Sequence, residues 1–401
     1  MQPAPGQPVA PQQIQLVEGL PLQTSHQAEG VYVGSTSAYW AAAIAQQQDY
    51  ERAQLIEREQ LRVRRHLRIF AFLYNTLCVA ELVYFIVGLY IVDWQVADLE
   101  DNPLLGPGQQ GVIEMGGTHT QKIVYGNQWW RLITSIFYNA GAIHLTANLG
   151  MTWMFGHYLA RELSPWTVAA IFLTSGLAGE IFSANIGADY MTCGASIPAF
   201  GLAGAACAML IFWWRWHRNH WATALVAAAA LGLNAFIGAT PFVDNSGNTA
   251  GFVFGAALCL SAMLVRRHES KSKGREVLLL ALACALLAAV IGAMFGGVIG
   301  LLHKAPVGGC CNPWVCAPSD WWDCDAARIW PTSCGYTVFP NTTSQLTCPR
   351  GQVVTIGVVN GTVSETIIQG WCDTYCKLAS SGGVPTTGGD GRGSSGVQRR
   401  L

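Results

Sequence analysis

The 401-residue chain carries 23 Lys and Arg against 24 Asp and Glu, is only 12% charged and is 51% hydrophobic. Soluble domains carry about 25% charge. Halving that while keeping 15 Trp, 15 Phe and 44 Gly excludes a disordered chain, a coiled coil and a basic nucleic-acid binder, so the reading is a membrane protein whose surroundings are lipid, with no nucleic-acid partner.

The first 35 residues are rich in Pro and Gln and show neither a basic n-region nor an apolar h-region, so no cleavable signal peptide is predicted. Residues 1–66 read as a cytosolic, largely disordered arm, with a charged, helix-friendly stretch from 38 on that ends in Arg62, Arg64, Arg65 and Arg68. Seven apolar runs follow at roughly 69–92, 132–159, 166–186, 193–214, 221–240, 248–265 and 277–302. Each is long enough, at about 20 residues, to cross a bilayer core of about 30 Å as a helix. The middle five carry Gly, Ser, Asn and Thr, as expected of helices that pack on one another.

Orientation follows from the basic residues, which favour the cytosolic side. Arg161, Arg215, Arg218, Arg266, Arg267, Lys271, Lys273 and Arg275 fall in alternate connections, whereas 93–130 has only Lys122. The N-terminus is therefore expected in the cytosol and the C-terminus in a lumen or outside the cell. Eight of the 13 Cys (Cys310, Cys311, Cys316, Cys324, Cys334, Cys348, Cys372, Cys376) and two sequons, at Asn341 and Asn360, occupy the segment 303–401. That clustering predicts a small disulfide-rich, glycosylated tail in an oxidising compartment, with 105 pairings open; a zinc site is the rival reading of Cys372-x-x-x-Cys376. The expected localisation is a multi-pass membrane protein of the Golgi, the endoplasmic reticulum or the plasma membrane.

Chemistry-bearing residues gather in the middle of the chain. Span four opens with Cys193-Gly194-Ala195-Ser196-Ile197-Pro198, which sets a serine at a helix N-terminus, where unpaired N–H groups can stabilise an oxyanion. Pro198 suits a first helical turn, and the following Gly201 and Gly204 permit close helix approach. His144 and Asn148 stand four residues apart and share one helix face. Both can donate hydrogen bonds to developing negative charge. Read alone, each of these features is also a helix-packing device.

Taken in order, Trp130-Arg131, His144-x-x-x-Asn148, Gly194-x-Ser196 and the pair Gly251 and Gly255 resemble the rhomboid family of intramembrane serine proteases, in its eukaryotic secretory-pathway form. The resemblance implies an all-α membrane fold: a six-helix core over 67–265, a cytosolic loop and seventh transmembrane helix over 266–302, and the lumenal tail. It implies Ser196 at the nucleophile position, His144 and Asn148 at the oxyanion site, Trp130, Arg131, Gly194, Gly201, Gly251 and Gly255 as scaffold, transmembrane segments of other membrane proteins as partners, and no cofactor or metal.

Two residues depart from the family pattern. Asn248 stands where the family has its general-base His, and a carboxamide cannot take up a proton near neutral pH. Loss of a general base costs on the order of 10² to 10⁴ in rate. Ile197 replaces the Gly that follows the nucleophile and is expected to crowd the turn and narrow the space for a substrate backbone. The reading is a pseudoprotease that binds client transmembrane segments; an active protease using Ser196 is the alternative, and a channel or transporter is disfavoured because no internal repeat or paired intramembrane charge is seen. Glu180 is expected to serve helix packing.

Overall fold

The computed structural model describes residues 32–124, 126–215, 219–266, 273–303, 315–329, 335–338, 344–347 and 353–356, with 368, 371, 372 and 375. Two compact units, Met1–Arg62 and Val63–Leu401, divide the chain. Helix α1 covers Tyr32–Ile91 and takes in the charged, helix-friendly stretch from 38 on. From Ser35 on, its polar portion has good helix formers (Gln46, Gln47, Glu51, Arg52, Glu57, Arg58) and neither Gly nor Pro, which leaves nothing to stop the helix before the apolar run.

After the short helices α2 (Gln109–Glu114), α3 (Thr120–Val124) and α4 (Arg131–Thr134) come α5 (Ala142–Ala160), α6 (Pro165–Ile186), α7 (Ser196–Phe212), α8 (His220–Ile237), α9 (Asn245–Arg266) and α10 (Lys273–Leu302). Seven long helices thus stand where seven spans were predicted. Five of them, in α1, α6, α8, α9 and α10, are long and apolar enough to cross a membrane on their own. Helix α7 is only 17 residues long and almost wholly buried, so its neighbours shield it from lipid. This is a multi-pass, predominantly α-helical membrane protein.

The second span needs correction. Its predicted start near 132 lies in α4; a 3₁₀ turn at Ser135–Phe137 and extended backbone at Tyr138 intervene before α5 restarts at Ala142. The interruption is what brings Asn139 and Ala140 next to α5's own side chains, as described below. Ser164 caps α6 by accepting the Thr167 N–H at 3.1 Å, with Pro165 at the first helical position, a sequence-legible start.

Helices α5, α6 and α9 surround α7. The α7–α9 seam is made by backbone approach: a Cβ on Gly204 would overlap the Phe252 carbonyl, and one on Gly255 the carbonyl of Gly201. Such contact needs small residues because helix association in lipid rests on close packing rather than on water exclusion. One apolar cluster (Phe70, Phe155, Leu159, Phe172, Leu202, Met209) fills the half of the bundle toward Arg161, and a second (Tyr138, Met191, Phe242, Val243, Trp322, Ile329) fills the loop face at the other end.

Part of the tail completes that loop face. Met191 N–H donates to Ala327 O at 2.8 Å, Ile329 N–H to Asp189 O at 2.7 Å, Ala317 N–H to Ala239 O at 3.0 Å and Asp323 N–H to Glu100 O at 2.8 Å. Trp322 is buried there beside Phe236 of α8, ring centroids 6.3 Å apart. A disulfide joins Cys316 to Cys324. Cys372 is also disulfide-bonded. The tail adds an element that the all-α reading lacked, a three-stranded antiparallel sheet β1 (Gly335–Val338), β2 (Ser344–Thr347) and β3 (Val353–Thr355), with Tyr336 opposite Leu346 and Leu346 opposite Val354. Asn341, Asn360, Cys310, Cys311, Cys334, Cys348 and Cys376 lie outside the described residues.

Candidate functional site

Three connections converge on the N-terminus of α7. Cys193 N–H donates to Phe242 O at 2.7 Å, Gly194 N–H to Ser135 O at 3.1 Å, and Ala195 N–H to Tyr138 O at 3.4 Å. The turn that delivers Ser196 is therefore pinned on one side by the end of the 3₁₀ turn and on the other by the α8–α9 connection. Phe242 holds φ at 65°, a left-handed backbone that costs a bulky residue about 1 to 3 kcal/mol and is tolerated where the surroundings enforce it.

Ser196 is buried as the first residue of α7, and Asn248 is buried in the first turn of α9. They flank one contact: Ile197, next to Ser196, packs its Cδ1 against Gly247, next to Asn248. From α5 come His144 and Asn148, both buried on one face. The Ala140 N–H donates to His144 Nδ1 at 3.1 Å, which leaves the ring proton on Nε2. Asn148 Nδ2 donates to Asn139 Oδ1 at 2.8 Å, and Asn139 Nδ2 donates in turn to Glu81 of α1 at 2.9 Å.

His144 Nε2, Asn148 Oδ1, Ser196 Oγ and both amide atoms of Asn248 are buried without a protein hydrogen-bond partner. They make five of the ten such side-chain atoms among the described residues, and buried polar groups are otherwise nearly always paired. Unpartnered polar atoms on these four residues make them the candidate polar site within an apolar bundle. Its composition is a hydroxyl, an imidazole N–H donor and two carboxamides. Such a set can bind a carbonyl or an oxyanion, and nothing in it accepts a proton from the Ser196 hydroxyl.

Ile197 is the second residue of α7. It is fully buried, with its side chain directed into the seam between α6 and α9. A Cβ on Gly179 would come 2.5 Å from Ile197 Cγ2, and one on Gly247 2.5 Å from Cδ1. Three glycines, Gly179, Gly247 and Gly251, make room for this side chain.

Other predicted positions support the site from outside. Arg131 is buried, donating from Nε to Gln128 Oε1 at 2.7 Å and from Nη1 to the Gly117 carbonyl at 2.9 Å, and lies over the Trp130 ring at 4.8 Å. Trp130 itself is half-exposed and packs on Gly116. Gly194 faces the Glu180 carboxylate, leaving no room for a Cβ. Glu180 is fully buried and accepts from Thr118 Oγ1, whose oxygen also lies in hydrogen-bond contact with Ser135 Oγ at 2.8 Å. Asp244 accepts from Ser183, from Ser246 Oγ at 2.8 Å and from the Gly247 N–H at 2.7 Å, so it fixes the start of α9. Thr118, Ser135 and Asn139 were not picked out from the sequence, because each is a single polar residue with a partner on a different segment. No group of His, Cys, Asp and Glu suited to a metal ion occurs among the described residues.

Comparison with known proteins decides the family. A rhomboid domain is matched over residues 126–267, the stretch that contains every residue of this site except Glu81 and Thr118. RHOMBOID-like protein 6, mitochondrial, of Arabidopsis thaliana is 30% identical over 219 residues, covering 50% of this chain and 71% of that protein. The chain belongs to the rhomboid family. RHOMBOID-like protein 4 of the same plant is 25% identical over 341 residues, 77% of this chain and 84% of that one. Inactive RHOMBOID-like protein 8, also from Arabidopsis thaliana, is 29% identical over 155 residues, 39% of this chain and 44% of its own.

Proposed function

We propose that this rhomboid-family chain is a pseudoprotease that binds transmembrane segments of client membrane proteins and affects their trafficking or degradation. The observation that carries the reading is Asn248: its amide is buried in the first turn of α9 and can donate and accept hydrogen bonds but not a proton. His144 is no substitute base, since its Nδ1 is taken up by the Ala140 N–H and its Nε2 is a donor. Without an adjacent base the serine is a weak nucleophile. The unpartnered polar atoms at the site suit a client segment that is locally unwound, since only non-helical backbone offers free carbonyls inside the bilayer. We place Ser196 and Asn248 at the former catalytic pair and His144 and Asn148 at the former oxyanion site. In this reading the protein resides in the secretory pathway, N-terminus cytosolic and tail lumenal.

The retained Ser196 with both oxyanion-site side chains favours a second reading, an intramembrane serine protease of unconventional mechanism. Cleavage of a generic transmembrane substrate by the purified full chain distinguishes the two. The expected result is no cleavage by wild type or Ser196→Ala and measurable cleavage by Asn248→His. Wild-type cleavage that vanishes in Ser196→Ala would overturn the pseudoprotease reading.

A further inference from the structure

Away from Ser196, a slot of about 330 Å³ opens between the second half of α5, the second half of α7 and the first half of α8, lined chiefly by Met154, Phe155, Ala206, Leu210, Val226 and Ala227. Tyr158, Asn219 and Thr223 add polar atoms toward one end. That end carries charge. Arg161 follows Tyr158 by three residues, Arg215 lies between Leu210 and Asn219 in the chain, and both arginines are exposed. Arg266 of α9 reaches the same rim, donating to the Glu162 carbonyl, and Glu162 is the one acidic side chain in that turn. Beside them, Trp214 packs on His220 and Trp221 with ring centroids 4.4 and 5.0 Å away, an aromatic group of the kind that settles at the headgroup level of a bilayer.

We infer that this slot binds one acyl chain of an anionic phospholipid whose phosphate is held by Arg161 and Arg215. The apolar lining faces hydrocarbon, so any chain can enter it at little cost; selection comes from the cationic rim, since basic clusters at the membrane surface attract anionic headgroups. The volume stands at the low end of small-ligand sites. It suits a single chain better than a helix, which is about 10 Å across with its side chains, so the slot is separate from the client-binding role proposed above and does not depend on it.

Native mass spectrometry of the full chain released from nanodiscs of equimolar phosphatidylserine and phosphatidylcholine tests the inference. Wild type is expected to retain phosphatidylserine in preference to phosphatidylcholine, and Arg161→Gln and Arg215→Gln to cut that preference roughly fivefold each. Ala222→Trp, which fills the slot from an exposed position on α8, is expected to abolish retention. Leu225→Trp, on the outward side of the same helix, should leave it at the wild-type level and controls for general damage. Retention unchanged in Ala222→Trp would overturn the proposal. So would a variant that keeps phosphatidylserine but loses photocrosslinking to a client transmembrane peptide, which would assign the slot to clients.

Discussion

Replacing Ile197 by Ala removes three carbons from a fully enclosed site between α6, α7 and α9. In a water-soluble core Ile→Ala costs about 2 to 5 kcal/mol, of which about 2.4 kcal/mol is transfer of three carbon groups from water at ~0.8 kcal/mol each. Helices separated within a bilayer still face hydrocarbon, so that transfer component largely lapses and the loss of packing remains. The expected destabilisation is therefore about 1 to 2.5 kcal/mol, read as a lower midpoint of reversible unfolding by sodium dodecyl sulfate in mixed micelles. Catalytically the same logic predicts that Ile197→Gly adds nothing to Asn248→His, because the Ile197 side chain occupies the α6–α9 seam. Wild-type stability in Ile197→Ala, or cleavage by Asn248→His that appears only when Ile197 is also Gly, would refute the placement of this side chain.

Asn139→Ala leaves Glu81 and Asn148 each short of a buried partner and should lower stability by about 1 to 3 kcal/mol in the same unfolding assay. Opening the Cys316–Cys324 link, whose ends are 8 residues apart, removes a loop closure worth about 2.5 kcal/mol on the chain-entropy scale. In the double Ser variant, hydrogen exchange should quicken at the Met191 and Ile329 amides, which depend on the docked tail, and stay slow within α7. His119 is held down at about 3, first by burial and then by the nearby Lys122 and Arg131. Because the unfolded chain protonates near 6.5 while the folded one does not, stability is complete above that pH. It should fall as pH drops toward 3, by up to ~1.4 kcal/mol per pH unit, and His119→Gln should flatten the slope.

Apolar runs made the seven long helices legible, and the start of α6 could be read from Ser164-Pro165. The break before α5 was harder to see. Leu132, Ile133, Ile136 and Phe137 continue the apolar pattern, and only Asn139-Ala140-Gly141 signals that backbone N–H groups turn to other partners there. At the site, the candidate positions were legible through a family pattern. The supporting groups were not, because the Thr118–Glu180 and Ser183–Asp244 bonds span 62 and 61 residues and no periodicity links such pairs. The setting of Ile197 was hidden for a related reason: a residue type beside a nucleophile position says nothing of which face of the helix takes its side chain, and here three glycines on other helices receive it.

The same arrangement explains how catalysis and scaffold can part company. Asp244 organises the start of α9, taking the Ser246 hydroxyl and the Gly247 N–H on its carboxylate and the Asn248 N–H on its carbonyl at 2.9 Å. Gly251 and Gly255 make the seam to α7. The side chain at 248 enters neither set of contacts; its amide atoms bond to no protein group. Exchange of an imidazole for a carboxamide at that point alters proton chemistry while leaving the helix cap and the seam as they were. Asn248→His should consequently keep the cap and the seam, and any loss of stability should stay below about 3 kcal/mol, the usual ceiling for added volume in a packed interior. A large loss of stability in that variant would mean that the Asn248 amide is part of the scaffold after all, and that its orphaned atoms are paired through something bound in the site.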